Sequence, residues 1–436
     1  MLLIYTHKKS NRLLYTLEFI FKEHFKVPYQ VTANALEFKN YLGPKLNYSM
    51  EDFNIETFDV FPVLLMFQGD VTEHKIDVSE WDGVKIFYKV SKGDLPFDII
   101  AATFFMISRY EEYLYANRDR FGRYDTRNSL AWKNNFLYEP VVNIWLNRFG
   151  EMLTEKFPDF KIEKPQYEFI PTIDIDNAFA YVHKGFLRTT GGILMNMLKT
   201  RFHNFGRRLK VLLGMQKDPY DTYEKINEIH QKNNLKPHIF FLLGNYGGYD
   251  RALSPLNKHF RKLVQSYTDI AQVGMHASYA SYSDKRRLQE EAQHLDEIVG
   301  HDIISNRFHF VKFDMPDSLN NLIEIGIRNE FSMGYASRSG FRAGYAGSFK
   351  FFDLRKNIST NLRIFPFQLM DATLRFYAKH TPDLAFDKCK EIIDKIKSVN
   401  GTLITVWHNE SLSGIAPWKG WDELYEKVVS YAVNSD

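Results

Sequence analysis

Beyond residue 165, segments typical of β-strands alternate with segments typical of α-helices, and this alternation restricts the fold more than any other feature. The apolar strand EFIPTIDI is followed along the chain by HIFFLL, DIAQVGMH, SNRFHF, FSMGYA and TLITVWHN, with helical segments between them. Repeated strand–helix units favour a parallel sheet with right-handed crossovers. Residues 165–436 therefore predict an α/β fold, a (β/α) barrel whose chemistry lies at the carboxyl ends of its strands.

The length of 436 residues exceeds the size at which one hydrophobic core usually stops growing, so two domains are expected. The polar stretch KFPDFKIEKPQYE, residues 156–168, is the best boundary. Before it, LLIYTH and FPVLLMFQ predict strands, and LPFDIIAATFFMISRYEEYLYANRD predicts a helix that starts near Pro96. We therefore expect a separate N-terminal α/β domain over residues 1–160 and a barrel domain over residues 165–436.

Charge and cysteine content exclude several classes of protein. The formal net charge is +3, so no chain-wide basic field indicates a nucleic-acid partner. The single cysteine, Cys389, excludes an intramolecular disulfide and a CxxC metal site. The N-terminal MLLIYTHKKS lacks the apolar run of a secretory signal, and no run of about 18 apolar residues predicts a transmembrane helix. A cytoplasmic protein is expected.

Residues 177–217 predict a long helical segment with eight lysines or arginines and no acidic residue. Such a basic, partly apolar segment suits an anionic membrane surface, or an acidic or lipid-linked glycan. The alternative is a helix that packs its apolar side on the protein and exposes its charges to water. Peripheral contact with the inner membrane face through residues 184–217 is therefore one of two interpretations.

Two carboxylates, Asp174 and Asp176, end the strand EFIPTIDI. Because strand side chains alternate with a period of two, both carboxylates point to the same face. Their mutual repulsion requires a cation or a shared proton, and a metal on one would leave the other free as a base. The alternative is an aspartate pair that caps the next turn.

Histidines end two further strands, His276 in DIAQVGMH and His408 in TLITVWH, and Arg307 and His309 lie on one face of SNRFHF. A single histidine is more often structural than a ligand. Together with the aspartates, however, these residues indicate a site for zinc or another divalent metal. The set supports hydrolysis, in which a metal activates water, a carboxylate takes a proton and a histidine returns one.

These residues resemble the motifs of the polysaccharide deacetylase family, also called the NodB homology domain or carbohydrate esterase family 4. The family's TFDD motif is similar to TIDID, and the resemblance implies that Asp174 is the catalytic base and Asp176 a metal ligand. The family's motif of two metal-binding histidines four residues apart matches GMHASYA at His276 only, because position 280 is alanine. This sequence therefore lacks one of the metal ligands that the resemblance implies.

The remaining motifs extend the resemblance over about residues 165–436. NRFHF matches the motif whose arginine orients the base, at Arg307, and VWH matches the motif of the acid, at His408. We take His309 as the candidate for the missing ligand, and Tyr279 as a candidate substrate contact. The order of the motifs is similar to a branch of deacetylase-like proteins of Bacteroidetes-type bacteria, which carries an additional N-terminal domain of unknown role.

The resemblance implies a distorted, TIM-like barrel of the NodB type that acts as a metal-dependent hydrolase. Its reaction would remove an acetyl group, in the first instance an N-acetyl group, from a carbohydrate, a glycan or a lipid-linked sugar, with zinc as the expected ion. Two alternatives stay open. An inactive barrel could bind glycan or take part in assembly, as Ala280 suggests, or the barrel could hydrolyse a non-sugar amide without metal.

Two further segments are candidates for contact with substrate. The glycine-rich segment 340–354 suits a substrate loop, with Arg342 as a contact and Phe351 and Phe352 as stacking faces. The alternative is a loop with a buried aromatic plug. Residues 108–124 have paired charges at helical spacing, which predicts intrahelical ion pairs, or else a cover over the mouth of the barrel.

Overall fold

The computed structural model describes residues 1–114, 117–185 and 202–434 of the chain. Within these residues the strands form a four-stranded sheet, a two-stranded hairpin and a nine-stranded sheet. All strands of the nine-stranded sheet follow residue 167, and those of the two smaller sheets precede residue 87. Each part of the chain therefore has a sheet of its own.

The four-stranded sheet is parallel and has the order β2–β1–β3–β4. The strands of the N-terminal part are β1 Leu2–Tyr5, β2 Tyr29–Thr32, β3 Lys45–Asn47, β4 Phe58–Asp59, β5 Ser79–Trp81 and β6 Val84–Ile86. Its helices are α1 Asn11–Leu17, α2 Ala35–Asn40, α3 Ile99–Ile107, α4 Leu130–Lys133 and α5 Val141–Lys156. Every residue of α3 is buried, because its sequence IIAATFFMI has almost no polar face.

The nine-stranded sheet has the order β12–β13–β11–β10–β9–β8–β7–β15–β14. Its strands are β7 Glu168–Ile175, β8 His238–Leu242, β9 Gln272–Ala277, β10 Ser305–Phe308, β11 Asn329–Glu330, β12 Phe349–Asp353, β13 Ile358–Ile364, β14 Leu369–Met370 and β15 Thr402–His408. Neighbouring strands pair in parallel, except that β12 and β13 are antiparallel. Most of these strands are buried on both faces, as apolar runs such as HIFFL require.

Helices connect the parallel strands. They are α6 Phe202–Leu212, α7 Tyr223–Lys232, α8 Lys258–Tyr267, α9 Lys285–Val299, α10 Asp317–Glu324, α11 Pro382–Ser398 and α12 Trp421–Val433. In α8 the buried residues are Phe260, Val264 and Tyr267, whose spacing places them on one helical face toward the sheet. These helices confirm the strand–helix alternation predicted for this part of the chain.

The segment 365–368 joins the two sides of the parallel ladder. Its backbone bonds run from Phe365 N to Glu330 O, from Phe367 N to Met333 O and from Gln368 N to Ile404 O, at 2.8–3.1 Å. The segment therefore links the β11 side of the sheet to β15, as a barrel requires. The predicted α/β fold, with a barrel-type second part behind a distinct N-terminal part, is confirmed.

Several local predictions are wrong. FPVLLMFQ is not a strand but contains a short 3₁₀ helix, Leu64–Phe67, and FSMGYA lies beyond the end of β11. Phe351 and Phe352 do not offer stacking faces, because they lie on β12 and are 2% and 0% exposed. The antiparallel pairing of β12 with β13 buries them, and this pairing is a tertiary contact that a glycine-rich segment does not reveal.

The charged segment 108–124 is not a continuous helix. Helix α3 ends at Ile107, and Arg109 has the left-handed backbone conformation, with φ 54°, before a short 3₁₀ helix at Tyr110–Tyr113. The charged side chains of this segment form ion pairs with one another and with the barrel, not along one helix. Arg118 Nη1, for example, lies 2.8 Å from Asp314 Oδ1.

The basic segment 184–217 lies partly outside the described residues. Of this segment the structure describes helix α6 and the turn after it, where Leu213 and Met215 are exposed. Among the described residues, no helix is both long enough and apolar enough to cross a membrane.

A buried ionic network joins the N-terminal part to the barrel. Glu112 accepts hydrogen bonds from Arg109 Nε at 2.8 Å and from Arg342 Nε at 2.9 Å. Arg109 also donates to the hydroxyl of Tyr335 at 3.2 Å. Arg109, Glu112 and Arg342 are almost fully buried, so the carboxylate of Glu112 compensates two guanidinium groups that water cannot reach.

We expect Glu112→Ala to lower the free energy of unfolding by about 3–5 kcal/mol, because it leaves two buried arginines without their shared partner. Urea denaturation would measure the change. Glu391→Ala, which removes an exposed pair with Lys388, is the control and should change the free energy by less than about 1 kcal/mol. Equal effects of the two substitutions would contradict a network that holds the two parts together.

Candidate active site

The predicted site residues converge at the carboxyl ends of adjacent strands. In the sheet register His408 on β15 is paired with Asp174 on β7, and Arg307 on β10 is paired with His276 on β9. Asp176 follows the last residue of β7. Because all these strands run in parallel, their carboxyl ends lie at one edge and bring the side chains together.

The carboxylate of Asp176 lies at the centre of this group. Its Oδ1 is 3.1 Å from His276 Nε2, and its Oδ2 is 3.2 Å from His309 Nε2 and 3.8 Å from His408 Nε2. One ligand atom each from Asp176, His276 and His309 lies within 4.8 Å of the others, as a single metal ion requires. His309 thus occupies the position of a third ligand, although it lies just beyond β10 rather than within the strand.

The hydrogen bonds of the two imidazoles fix their protons. His276 Nδ1 lies 2.8 Å from the carbonyl oxygen of Arg307, and His309 Nδ1 lies 2.7 Å from Asp250 Oδ1. Both acceptors lack a proton, so each Nδ1 donates one, and each ring directs its Nε2 toward Asp176. Such a backing acceptor is the usual companion of a metal-binding histidine.

Two atoms of this group lack a hydrogen-bond partner among the described residues. Asp176 Oδ1 and His276 Nε2 are buried, and neither makes a hydrogen bond of good geometry with a described residue. Burial alone would raise the pKa of Asp176, but the imidazoles of His309 and His408 hold it well below its ordinary value. Burial would likewise lower the pKa of His309, but Asp176 and Asp250 raise it to about 9. A divalent cation fits this donor set.

Asp174 has a different environment from Asp176. Its Oδ1 lies 3.1 Å from Arg307 Nη1, and its Oδ2 lies 3.7 Å from His276 Nε2. Arg307 Nη1 also donates to Thr172 Oγ1 at 2.7 Å, which fixes the guanidinium. The ring of Phe240 lies below it, 4.8 Å away. Arg307 thus orients Asp174 while one carboxylate oxygen stays directed to the histidines.

His408 is held by a second carboxylate. Its Nδ1 lies 2.8 Å from Asp371 Oδ1, and its backbone N–H donates to Asp371 Oδ2 at 2.9 Å. Burial would lower the pKa of His408, but Asp371 and then Asp176 raise it well above its ordinary value. Asp371 therefore favours the protonated form of His408, and Nε2 is directed toward the site.

These groups line a cavity of about 420 Å³, which we call the catalytic cavity. Aromatic and aliphatic side chains form the rest of its wall, among them Phe308, Phe310, Val311, Met370, Phe376, Tyr377 and Trp418. A cavity with an apolar wall and a few convergent polar groups suits a small molecule or one end of a larger one.

The backbone directly after His309 is strained. Phe310 and Val311 have φ of 59° and 57°, a left-handed conformation that a β-branched residue such as valine rarely adopts. Arg123 of the N-terminal part donates from Nη1 to the carbonyl of Phe310 at 3.0 Å. This contact across the two parts supports the conformation that places His309 at the site.

Sequence reasoning missed Asp250 and Asp371. Asp371 follows the end of β14, so the rule that chemistry lies at strand ends could have found it. Asp250 lies in a loop, and only the general need of a metal-binding histidine for an acceptor points to such a residue.

Two predicted substrate contacts do not line the catalytic cavity. Arg342 is buried against Glu112 and borders a neighbouring cavity instead. Tyr279 donates from its hydroxyl to the carbonyl of Phe121 at 3.1 Å, so it supports the N-terminal part at this edge. Both side chains are engaged in contacts between the two parts, and their role as contacts of a sugar stays a prediction.

Comparisons with known proteins cover the two parts separately. Residues 2–158 match the model of a family of unknown function, DUF7033. No curated protein matches the chain. Among solved structures, a Mycobacterium smegmatis protein assigned as a polysaccharide deacetylase is 12% identical, with a TM-score of 0.41, over 63% of this chain and 86% of that one.

Two further solved structures are similar. Puue allantoinase is 11% identical, with a TM-score of 0.39, over 61% of this chain and 84% of its own. Polysaccharide deacetylase Bc1974 from Bacillus cereus is 13% identical, with a TM-score of 0.30, over 61% and 85%. Two of these three matches have the family name that the sequence motifs suggested. Since every TM-score is below 0.5, the function proposed below rests on this chain's own residues.

The donor set predicts that the purified protein binds about one zinc ion per chain, measured by titration calorimetry after removal of metal with a chelator. His276→Ala and His309→Ala should each weaken binding by roughly 100-fold or more, because each removes a ligand. Asp250→Asn should weaken it by about 10–100-fold, because it removes only the acceptor behind His309.

His301→Ala is the matched control. His301 is exposed, so its substitution should leave zinc binding unchanged. Thermal unfolding of each variant would check that the fold is retained. Zinc binding that persists at full affinity in both folded His276→Ala and His309→Ala proteins would exclude the assigned site.

Proposed function

We propose that the C-terminal part is a metal-dependent hydrolase that removes an acetyl group, in the first instance an N-acetyl group, from a carbohydrate. One observation supports this most strongly. A three-residue metal-type donor set lies beside a carboxylate oriented by Arg307 and an imidazolium oriented by Asp371. Metal, base and acid are the components that hydrolysis of an amide needs.

Asp176, His276 and His309 would hold the ion. One carboxylate and two imidazoles suit zinc. A divalent ion held by these residues would lower the pKa of a water molecule and polarise the acetyl carbonyl.

Asp174 acts as the general base. With Oδ1 bound to Arg307, its Oδ2 remains free to take a proton from the attacking water. The water oxygen then forms a bond to the acetyl carbon. Arg307 positions the carboxylate through the contact of its Nη1 with Oδ1.

His408 acts as the general acid. Its imidazolium gives the Nε2 proton to the nitrogen as the C–N bond breaks, and the products are acetate and a free amine on the sugar. Asp371 holds the ring by its Nδ1–H and stabilises the protonated form before transfer. Afterwards Asp174 releases the proton that it took to the solvent, and His408 takes up a proton from the solvent. Both residues then have their starting protonation states.

The inactive alternative depended on Ala280, which replaces a ligand of the resembled family. Position 280 is exposed and does not border the catalytic cavity, whereas His309 supplies a nitrogen at the centre of the site. The hydrolase is therefore the better-supported proposal. A glycan is the proposed partner, and a cytoplasmic location and contact of residues 184–217 with a membrane remain predictions.

The proposal predicts acetate release from N-acetylglucosamine oligomers by the zinc-loaded protein. Asp174→Asn should reduce the rate by about 10²–10⁴-fold while zinc binding is retained, because the base is lost and the ligands are not. Asp302→Asn, at an exposed position, is the control. Glycan binding without acetate release in the zinc-loaded wild type would support the binding module, and release from cyclic amides alone would support the non-sugar hydrolase.

The role of His408 predicts a pH effect in Asp371→Asn. The acid must be protonated, so activity falls as pH rises through the pKa of His408. Asp371 raises that pKa, and its loss should move the alkaline limb of the kcat profile to lower pH by a unit or more. An alkaline limb that does not move in a variant with reduced kcat would contradict His408 as the acid.

A further inference from the structure

A second cavity, of about 480 Å³, adjoins the catalytic cavity. Five residues border both cavities, and they are Arg120, Arg123, Val311, Ala336 and Tyr377. The two cavities therefore lie side by side, which is the arrangement that a ligand longer than one sugar unit needs in order to contact both.

Arginine dominates the wall of this second cavity, which we call the arginine cavity. Six arginines border it, together with two aspartates, Asp119 and Asp125. Four of the arginines have carboxylate partners, namely Arg118 with Asp314, Arg123 with Asp119, Arg127 with Asp125 and Arg342 with Glu112. Arg120 and Arg338 are the other two.

Arg120 and Arg338 form no ion pair with any residue that the structure describes. The guanidinium of Arg120 lies over the ring of Phe121 at 4.7 Å, and that of Arg338 lies over Trp132 at 5.2 Å. The rings hold the two planar groups in place but do not neutralise their charge. Both guanidinium groups therefore keep N–H donors for an acceptor in the cavity, in the planar arrangement that matches a carboxylate or a phosphate.

The segment that carries Arg120 is fixed against the barrel. Arg123 binds Asp119 through Nε at 2.7 Å and the hydroxyl of Tyr377 through Nη2 at 2.9 Å. Lys312 of the barrel donates to the carbonyl of Gly122 at 2.6 Å. A wall held by such contacts is preorganised, so little ordering is needed when a ligand binds.

We propose that the arginine cavity binds an anionic group, a carboxylate or a phosphate, of the same glycan whose acetyl group is removed beside Asp174. The inference rests on the function proposed for the catalytic cavity. Four of the six arginines, Arg118, Arg120, Arg123 and Arg127, belong to the N-terminal part. That part therefore selects acidic glycans, and the barrel carries out the chemistry.

The test measures binding in an Asp174→Asn background, so that turnover does not interfere. The probes are an N-acetylglucosamine tetramer, a tetrasaccharide of alternating N-acetylglucosamine and glucuronic acid, and N-acetylglucosamine 1-phosphate. At low ionic strength at least one acidic probe should bind about 10–100-fold more tightly than the neutral tetramer. The two acidic probes distinguish a carboxylate from a phosphate as the preferred anion.

The double variant Arg120→Ala/Arg338→Ala should remove this preference, so that the acidic probes bind no more tightly than the neutral tetramer does to the same variant. Arg286→Ala, at an exposed position on α9, is the matched control and should retain the preference. Arg120→Lys/Arg338→Lys should keep part of it, because the charge remains while the planar fork is lost. Thermal unfolding would show that the variants are folded.

The outcomes separate this inference from the proposed hydrolase. Two results would overturn anion binding in the arginine cavity even if acetate is released. They are equal binding of neutral and acidic probes, and a preference for acidic probes that survives in the folded double alanine variant. A preference that depends on Arg120 and Arg338 supports anion binding whether or not the zinc-loaded wild type releases acetate, and the absence of acetate release would overturn only the proposed hydrolase.

Discussion

The site depends on the charge of Asp176, whose side chain is only 22% exposed to solvent. A carboxylate removed from water costs several kcal/mol unless a positive charge compensates it. Here the compensating partners are three imidazole nitrogens at 3.1–3.8 Å from its oxygens, which come from the ends of β9, β10 and β15. The registers of β7, β9, β10 and β15 are therefore not interchangeable, because a shift of one residue would turn each side chain to the opposite face. The same strand registers that form the sheet therefore also bring the site residues together at its edge.

The N-terminal part belongs to this arrangement rather than standing apart from it. Its own four-stranded sheet lies early in the chain, yet Glu112 and Arg123 contact barrel residues more than 180 positions away. Glu112 compensates the buried Arg342, while Arg123 binds the carbonyl of the strained Phe310 next to His309. The part that matches a family of unknown function thus supports a metal-type ligand of the barrel. One continuous hydrophobic core also includes residues of both parts.

The alternation of strands and helices and the positions of Asp174, Asp176, His276, Arg307 and His408 could be read from the sequence, because apolar periodicity and strand ends are local features. Features that depend on partners far along the chain could not be read in this way. Arg342 resembled a substrate contact because its partner, Glu112, lies 230 positions away. Phe351 and Phe352 resembled exposed aromatics in a glycine-rich loop, whereas pairing with β13 buries them. Asp250 lies in a loop without periodicity, so no local pattern predicts that it meets His309.

His309 brings a nitrogen to the centre of the site from a different place in the sequence than the histidine motif of the resembled family. In the resembled family the second histidine follows the first by four residues, but here that position, 280, lies in an exposed turn after β9. The next strand in the sheet, β10, lies directly beside β9, so the residue after its end reaches the same space. The left-handed backbone at Phe310 and Val311 reverses the chain at this point, and Asp250 sets the ring so that Nε2 meets Asp176. A nitrogen at one point in space, rather than a fixed spacing in sequence, is what a metal ion requires.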